Sequence, residues 1–264
     1  MPPTDPPPPW LPPLRRLAAK VAAARHVVVL TGAGISAESG LATFRGNERD
    51  MASLWKSFDP ASLATPEAFH RDPETVTRWY DWRRLGCLAA QPNPGHTALA
   101  ALEHHLERAG GSLTILTQNV DRLHHRAGSR NVVELHGDIL NWRCTVTGRT
   151  LTPPDQAFER FPMPSPFHPH GLLRPNVVWF GEPLPEEALQ AAFQAANQAD
   201  VFMSVGTSAV VQPAAGFLQV AAAAGAFTTE INPQATPLTS TVDAALAAPA
   251  GVILPALMAQ LAPH

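Results

Sequence analysis

The chain has 264 residues, a net charge of −3 and two cysteines, Cys87 and Cys144. This charge excludes a general positive field, so we expect no binding to nucleic acid or to a membrane surface. The longest apolar stretch, residues 214–227, contains glycines and is shorter than the roughly 20 residues of a bilayer span. Two cysteines make at most one disulfide, so we expect reduced thiols and a cytoplasmic protein.

The N-terminal segment is rich in proline, with eight prolines among residues 2–13. This composition predicts a disordered, polyproline-like arm over residues 1–13. Residues 14–25 combine good helix formers with apolar side chains at helical spacing, which predicts a helix. We therefore expect residues 14–264 to form the folded domain.

Short apolar runs rich in β-branched residues predict strands along the rest of the chain. The runs are 26–30, 113–116, 132–135, 201–205 and 251–254. Helical stretches separate several of them, notably 96–109 and 185–199. This alternation predicts an α/β fold with a doubly wound, Rossmann-like parallel sheet. Residues 41–95 and the proline-rich residues 141–176 interrupt the alternation, and we interpret both as insertions that build a smaller second lobe.

Polar and glycine residues follow the predicted strands directly. These segments are 31–36, 117–121, 136–137 and 206–208, and a further short run, 228–231, leads into Asn232. Ligands of open α/β sheets bind beyond the carboxyl ends of the strands. Turns alone are a poor explanation for so many polar strand ends, so the sequence predicts a ligand site at this edge.

The segment from Gly32 to Ala37 fits the pattern G-x-G-x-x-A after a strand. Glycines at these positions let the backbone approach a pyrophosphate. No acidic residue at the end of a second strand follows about 20 residues later, as a dinucleotide-binding dehydrogenase would have. The loop instead continues to Phe44 and Arg45, so a dehydrogenase fits poorly, although it stays conceivable.

His136 is the histidine that the pattern singles out among eleven. It lies at the predicted end of a strand, and an imidazole that titrates near neutrality can take a proton from a hydroxyl group. The pairs 104–105 and 124–125 are predicted to be solvated positions on helices.

Several longer motifs together resemble those of the sirtuin family. They are residues 32–40, 43–45, 117–121, 135–137, 177–182 and 206–208, in sirtuin order, and the resemblance runs from about residue 26 to 258. It implies an NAD-dependent enzyme that transfers the acyl group of an acyl-lysine to ADP-ribose. The products would be lysine, nicotinamide and O-acyl-ADP-ribose.

The resemblance also implies a role for individual residues. His136 would be the general base, with Asn119 as the second catalytic residue. Residues Val178, Trp179, Phe180 and Gly181 would border the acyl-lysine tunnel. The residues expected to bind NAD are Gly32, Ala33, Gly34, Ile35, Ser36, Phe44, Arg45, Gln118, Asn119, Asp121, Gly206, Thr207, Ser208, Asn232 and Ala250.

Tyr80 and Arg83 indicate a subclass, because residues three apart share one face of a helix. A guanidinium binds a carboxylate through two hydrogen bonds, and a phenol can add a third. The pair resembles the Tyr-x-x-Arg pair of class III sirtuins, and Ala64 matches the small residue of their pocket. This resemblance implies removal of succinyl or malonyl groups besides acetyl.

The zinc site of most sirtuins departs from the family pattern in this chain. Of the expected Cys-x-x-Cys pairs, Cys144 is present, Thr147 replaces the second cysteine and the other pair is absent. His168 and His170 lie nearby, but their spacing is irregular and a fourth ligand is missing. The sequence therefore predicts no structural zinc, and we expect prolines to take over the stiffening of the lobe.

Two alternatives to deacylation stay open at this point. Some sirtuins transfer ADP-ribose to proteins, although such transfer has less need of His136. A non-enzymatic sensor of NAD or ADP-ribose is expected to have lost Asn119, Asp121 or His136, and all three are present. Acyl-lysine proteins are the expected partners. The oligomeric state stays open, with a monomer as the expectation.

Overall fold

The computed structural model describes residues 7–41 and 60–262. The bounds of the elements in chain order are α1 Leu11–Ala23, β1 His26–Thr31, α2 Ala33–Ala37, α3 Pro60–Leu63, α4 Pro66–Arg71, α5 Pro73–Ala89, α6 Pro94–Arg108, β2 Ser112–Thr117, α7 Leu123–Arg126, β3 Val132–Glu134, β4 Gly137–Cys144, β5 Thr150–Leu151, β6 Leu173–Val177, α8 Glu186–Gln198, β7 Val201–Val205, a 3₁₀ turn at Ala214–Gly216, α9 Phe217–Ala223, β8 Phe227–Ile231, β9 Ala244–Leu246 and α10 Ala250–Leu261.

The large sheet has six parallel strands in the order β3-β2-β1-β7-β8-β9. Apolar side chains from α1, α6 and α10 bury one face, and those from α8 and α9 bury the other. The predicted doubly wound α/β fold is confirmed. No helix in the described ranges is long and apolar enough to cross a membrane.

The predicted strand at 251–254 is wrong, because these residues belong to α10. The helix packs against α1 and α6 and buries Ile253, Leu254 and Leu257. A helix buried in this way presents the same short apolar run as a buried strand, and periodicity alone does not separate the two. The last strand is β9, which at three residues is too short to give a signal.

The first helix begins at Leu11, three residues earlier than the boundary predicted for the proline-rich arm. Pro12 and Pro13 occupy the first turn. Backbone N–H groups there have no acceptor within the helix, so the N–H group that proline lacks breaks no helical hydrogen bond. These prolines therefore start the helix rather than extend the arm.

The strand order of the sheet reverses between the parallel neighbours β1 and β7, and glycines bring the two strand ends into contact. Gly34 N donates to Gly206 O over 2.8 Å, and Gly32 N donates to Val205 O over 3.1 Å. A Cβ atom on Gly34 would lie 2.6 Å from Gly206 O, and one on Gly206 would lie 2.4 Å from Ile35 N. Only glycine fits at these positions, so the loops after β1 and β7 pack backbone against backbone at the switch point.

The small lobe consists of α3, α4 and α5 together with an antiparallel sheet in the order β5-β4-β6. Its own apolar cluster contains Tyr80, Trp142 and Trp179. The described parts of both predicted insertions contribute to this cluster.

A buried ion pair joins α5 to the proline-rich segment of this lobe. Arg84 Nη2 lies 2.7 Å from Asp81 Oδ1, and the two side chains are 1% and 4% exposed. Arg84 also donates to the carbonyl groups of Pro154 and Gln156, at 2.8 and 2.6 Å. Phe158 N donates to the second Asp81 oxygen at 2.9 Å. Breaking such a pair leaves an uncompensated buried charge, so it fixes the segment in place.

Gly206→Ala is expected to destabilise the fold more than Gly225→Ala. Both glycines have a positive φ, but no atom lies within 4 Å of a Cβ built at Gly225. We expect Gly225→Ala to lower the free energy of unfolding by about 1–2 kcal/mol through backbone strain. The clash with Ile35 N should add about 1–3 kcal/mol for Gly206→Ala. Urea unfolding measures both values, and equal losses would contradict the close contact.

Candidate functional site

The loop between β2 and α7 meets the loop after β1 through a buried polar network. Asn119 Nδ2 donates to Gly32 O at 3.0 Å and to Ser36 Oγ at 3.1 Å. Ser36 Oγ donates to Asp121 Oδ2 at 2.7 Å, and Leu123 N donates to the other oxygen at 2.9 Å. Burial raises the pKa of Asp121, and these hydrogen bonds oppose the rise. The network fixes Asn119 and Asp121 relative to the glycine-rich loop.

Some of the groups that are predicted to contact NAD already form hydrogen bonds within the protein. The Ser36 hydroxyl is buried in the network, and Gly34 N donates to Gly206 O. Ile35 is fully buried, and its backbone O accepts a hydrogen bond from Asn93 Nδ2 at 2.7 Å. The predicted contacts of these residues with NAD stay predictions. Phe44 and Arg45 lie outside the described residues.

Thr207 is the point where three strand ends meet. Gln118 Nε2, beyond β2, donates to Thr207 Oγ1 at 3.1 Å. Asn232 Nδ2, beyond β8, donates to Thr207 O at 2.9 Å. The half-buried Ser208 follows directly. The structure thus brings the predicted residues of β2, β7 and β8 together.

Ala250 lies at the start of α10 rather than on a strand, and it is buried. Its neighbour Gly251 donates from its backbone N to Glu38 Oε2 at 2.7 Å. This bond holds the start of α10 beside the end of α2. A contact of Ala250 with adenine stays a prediction.

His136 lies beyond β3, with one side of its ring held by the backbone. Its Nδ1 is 2.9 Å from Gln118 O. A carbonyl oxygen accepts hydrogen bonds only, so Nδ1 carries the proton and Nε2 keeps a free lone pair. Burial lowers the pKa of His136, although the bond to Gln118 opposes this. The imidazole is therefore neutral at physiological pH and able to accept a proton at Nε2.

The predicted acyl-lysine residues cluster next to His136. Val178 N donates to His136 O, and Phe180 N donates to Ala64 O, both at 2.9 Å. The rings of Trp179 and Tyr80 have centroids 6.2 Å apart. Phe180 is 46% exposed, whereas Trp179 is buried. Gly181 follows with a positive φ of 87°.

Tyr80 and Arg83 share one face of α5, as predicted from their spacing. The Arg83 guanidinium carbon lies 5.5 Å from the centre of the Tyr80 ring and 4.7 Å from that of Trp79. Burial raises the pKa of Tyr80 to about 12, against the opposing charge of Arg83. The phenol therefore keeps its proton and can donate a hydrogen bond. The charge of Arg83 also lowers the pKa of Asp121, against the effect of burial.

The prediction of a solvated His124 is wrong. The side chain is 2% exposed, and its Nε2 lies 2.9 Å from Thr31 Oγ1. His96 packs against it with ring centroids 5.0 Å apart, and Asn93 N donates to His96 Nδ1 at 3.3 Å. Sequence reasoning missed this buried polar layer beneath the strand ends. No local signal marks it, because the contacts of His124 with Thr31 and His96 join residues far apart in the chain.

The part of the small lobe that corresponds to the family's zinc site contains one thiol, that of Cys144, and few other side chains that could bind a metal. Thr147 N donates to Cys144 Sγ over 3.5 Å. A Cβ atom on Gly171 would lie 2.8 Å from this sulfur, so the backbone is packed against it. Within residues 7–41 and 60–262, no group of three or more histidine, cysteine or acidic side chains could hold a metal. These residues do not fit zinc, and its absence stays a prediction.

The fold and the site together define an α/β nucleotide-binding protein with a base at the end of a strand. The model of the Sir2 family matches residues 32–213. An NAD-dependent protein deacylase of Thermus thermophilus is 49% identical over 82% of this chain and 82% of the relative. NAD-dependent protein deacylase 1 of Pseudomonas aeruginosa is 44% identical over 95% of this chain and all of the relative. The chain belongs to the Sir2 family, the sirtuins.

Solved structures agree with this assignment. A Sir2 homologue in complex with NAD has a TM-score of 0.85 and 44% identity, covering 93% of each chain. A mutant Sir2 homologue in complex with 2′-O-acetyl ADP-ribose has the same TM-score and identity. A complex of Sir2 with a p53 peptide and NAD⁺ has a TM-score of 0.79 and 28% identity, covering 94% of this chain and 98% of that one.

NMR titration of the imidazole groups is expected to show His136 titrating below the ordinary histidine pKa of about 6.5. Burial also lowers the pKa of His96 to about 4 and that of His124 to about 3. As the pH falls from 7 to 5, these two histidines take up protons in the unfolded chain but not in the folded protein. His96 and His124 should therefore each lower the free energy of unfolding by about 2 kcal/mol over this range. A His136 pKa at or above 6.5 would contradict the site geometry.

Proposed function

We propose that this protein is an NAD-dependent protein-lysine deacylase that removes succinyl, malonyl and acetyl groups. The observation that carries the proposal is the neutral His136, with Nδ1 bonded to Gln118 O and Nε2 left as the unprotonated nitrogen. Its place among the polar strand ends and the names of the relatives support the same reaction. Domain limits of 14–264, a monomeric state and a cytoplasmic location are part of the proposal.

NAD would lie across the switch point between β1 and β7, where glycines 32, 34 and 206 let the two strand-end loops pack backbone against backbone. When bound, NAD supplies the ribose to which the acyl group is transferred. Gln118 and Asn119 would hold that ribose, and Asp121 with Ile35 would hold the carboxamide.

The adenosine half would lie on Gly206, Thr207, Ser208 and Asn232, with Ala250 near the adenine. The loop of Phe44 and Arg45 would cover the cofactor, and Ala33, Gly34 and Ser36 would lie along its phosphates.

His136 would act as the general base on a ribose hydroxyl. The bond from Nδ1 to Gln118 O fixes the tautomer and the ring orientation, so that Nε2 is the atom that accepts the proton. Because Gln118 and Asn119 are adjacent, one loop would orient both the base and the ribose. The lowered pKa keeps His136 unprotonated and ready at neutral pH.

The acyl group would be read by Tyr80, Arg83 and Ala64. A succinyl or malonyl chain ends in a carboxylate, which Arg83 can bind and the protonated Tyr80 phenol can support. Ala64 belongs to the same apolar cluster as Tyr80 and Trp179, and its small side chain would leave space for the acyl chain. The pocket chemistry therefore favours acidic acyl groups.

Substrate proteins would bind along Val178–Gly181. Strand addition suits this segment because backbone groups give affinity independent of sequence. The exposed Phe180 ring offers an apolar contact at the entrance.

Cys87 and Cys144 are both free thiols, which agrees with the proposed cytoplasmic location.

The test compares acetyl-lysine and succinyl-lysine peptides with NAD, followed by mass spectrometry of peptide and O-acyl-ADP-ribose. His136→Tyr should abolish both reactions. Arg83→Met should lower kcat/KM for the succinyl peptide by about 10- to 100-fold. This ratio corresponds to the loss of a charge-assisted hydrogen bond, which contributes about 1.5–3 kcal/mol. The acetyl reaction should change little.

Arg78→Met is the matched control, because Arg78 lies on the same helix and pairs with Glu74 at the surface. It should leave both reactions unchanged. Consumption of NAD without deacylation of either peptide would overturn the proposal in favour of ADP-ribosyl transfer or NAD hydrolysis. An equal loss for both peptides in Arg83→Met would overturn the acyl preference alone.

A further inference from the structure

The loop of residues 118–121 is fastened at both of its ends by one chain of hydrogen bonds. Thr117 precedes the loop, and its Oγ1 accepts from Asn119 N at 3.1 Å. Thr31 Oγ1, at the end of β1, donates to Thr117 Oγ1 at 2.9 Å. His124 follows the loop, and its Nε2 lies 2.9 Å from Thr31 Oγ1. His124 therefore closes the loop back onto β1 and β2.

The hydrogen bonds of Thr31 bear on the tautomer of His124. With the Thr31 hydroxyl hydrogen on Thr117 Oγ1, His124 Nε2 donates to Thr31 Oγ1. Nδ1 is then a buried acceptor with no partner among the residues that the structure describes. Burial, together with the neighbouring His96 and His125, lowers the pKa of His124 to about 3, so the ring stays neutral.

An imidazole that only filled space at this position would lower the stability of the fold. Its unpartnered Nδ1 lowers stability, whereas an apolar side chain of similar size would avoid that loss. What the histidine adds is one donor, Nε2–H, aimed at Thr31. The loop that it fastens carries Gln118, Asn119 and Asp121.

We propose that His124 is a positioning residue that holds the 118–121 loop in the conformation required for the nicotinamide half of NAD. This inference rests on the proposed deacylase function. The Nε2–H bond holds Thr31, Thr31 orients Thr117, and Thr117 holds the backbone of Asn119. The same loop presents Gln118 O to His136, so its displacement also misaligns the base.

The consequence is a selective defect in one half of the cofactor site. The adenosine half would lie on Thr207, Ser208 and Asn232. Their bond to the 118–121 loop comes from the side chain of Gln118 and not from the chain of hydrogen bonds that His124 closes. Loss of His124 should therefore weaken turnover and inhibition by nicotinamide while leaving the affinity for ADP near that of the wild type. A merely structural role would affect both halves.

The experiment uses the full chain with His124→Leu, His124→Gln, Thr31→Val and the double variant His124→Leu/Thr31→Val. The glutamine can place an N–H near the position of Nε2, so it should restore most of the activity. His124→Leu should lower kcat/KM for NAD by about 10-fold or more, as expected for displaced reacting groups. The double variant should lose no more than the worse single variant, because both changes break the same chain.

The matched controls are His125→Leu and His125→Gln, at the next position of α7, where the imidazole faces Glu134 instead. They should behave like the wild type. Wild-type kinetics in His124→Leu, additive losses in the double variant, or a parallel loss of ADP affinity would each overturn the inference. If His124→Leu does not fold, Thr31→Val and His124→Gln decide by the same readouts. An inactive wild type would instead refute the proposed function.

Discussion

The backbone contact between the ends of β1 and β7 is the constraint on which the site depends. Gly34 and Gly206 approach so closely that a Cβ on either would overlap the backbone of the other loop. This contact brings Thr207 beside Gln118 and keeps Gly32 O within reach of Asn119. Without it, the polar strand ends would lie at one edge of the sheet but would not form one site.

The two lobes divide the chemistry and are joined by backbone hydrogen bonds, among them Ile139 N to Val120 O at 3.0 Å. The strand ends of the large sheet hold the proposed cofactor residues, and the small lobe holds those proposed for the acyl group. Val178 N donates to His136 O, so the wall of the proposed tunnel is attached to the base. Buried contacts stiffen the small lobe, including the Arg84–Asp81 pair and the stacking of Phe69 on Trp179. These contacts fix the lobe that carries Tyr80 and Arg83.

Much of the sheet and its polar edge could be predicted from the sequence, because buried parallel strands are continuous apolar runs that end abruptly. His136 stood out for this reason. The run 251–254 was misread, since a short apolar run carries no period that separates a helix from a strand. His124 was misread because its burial comes from contacts with Thr31 and His96, which are 93 and 28 positions away in the chain. Local patterns carry no signal for such contacts.

Hydrogen exchange of the wild-type protein with and without ADP-ribose tests the central claim most directly. The account predicts added protection in the segments 32–36, 117–121 and 206–208, which converge at the switch point. The small-lobe segment 145–170 should be unchanged, because it lies away from the strand ends. Protection confined to the small lobe, or no change at the strand ends with ADP-ribose bound, would contradict the account.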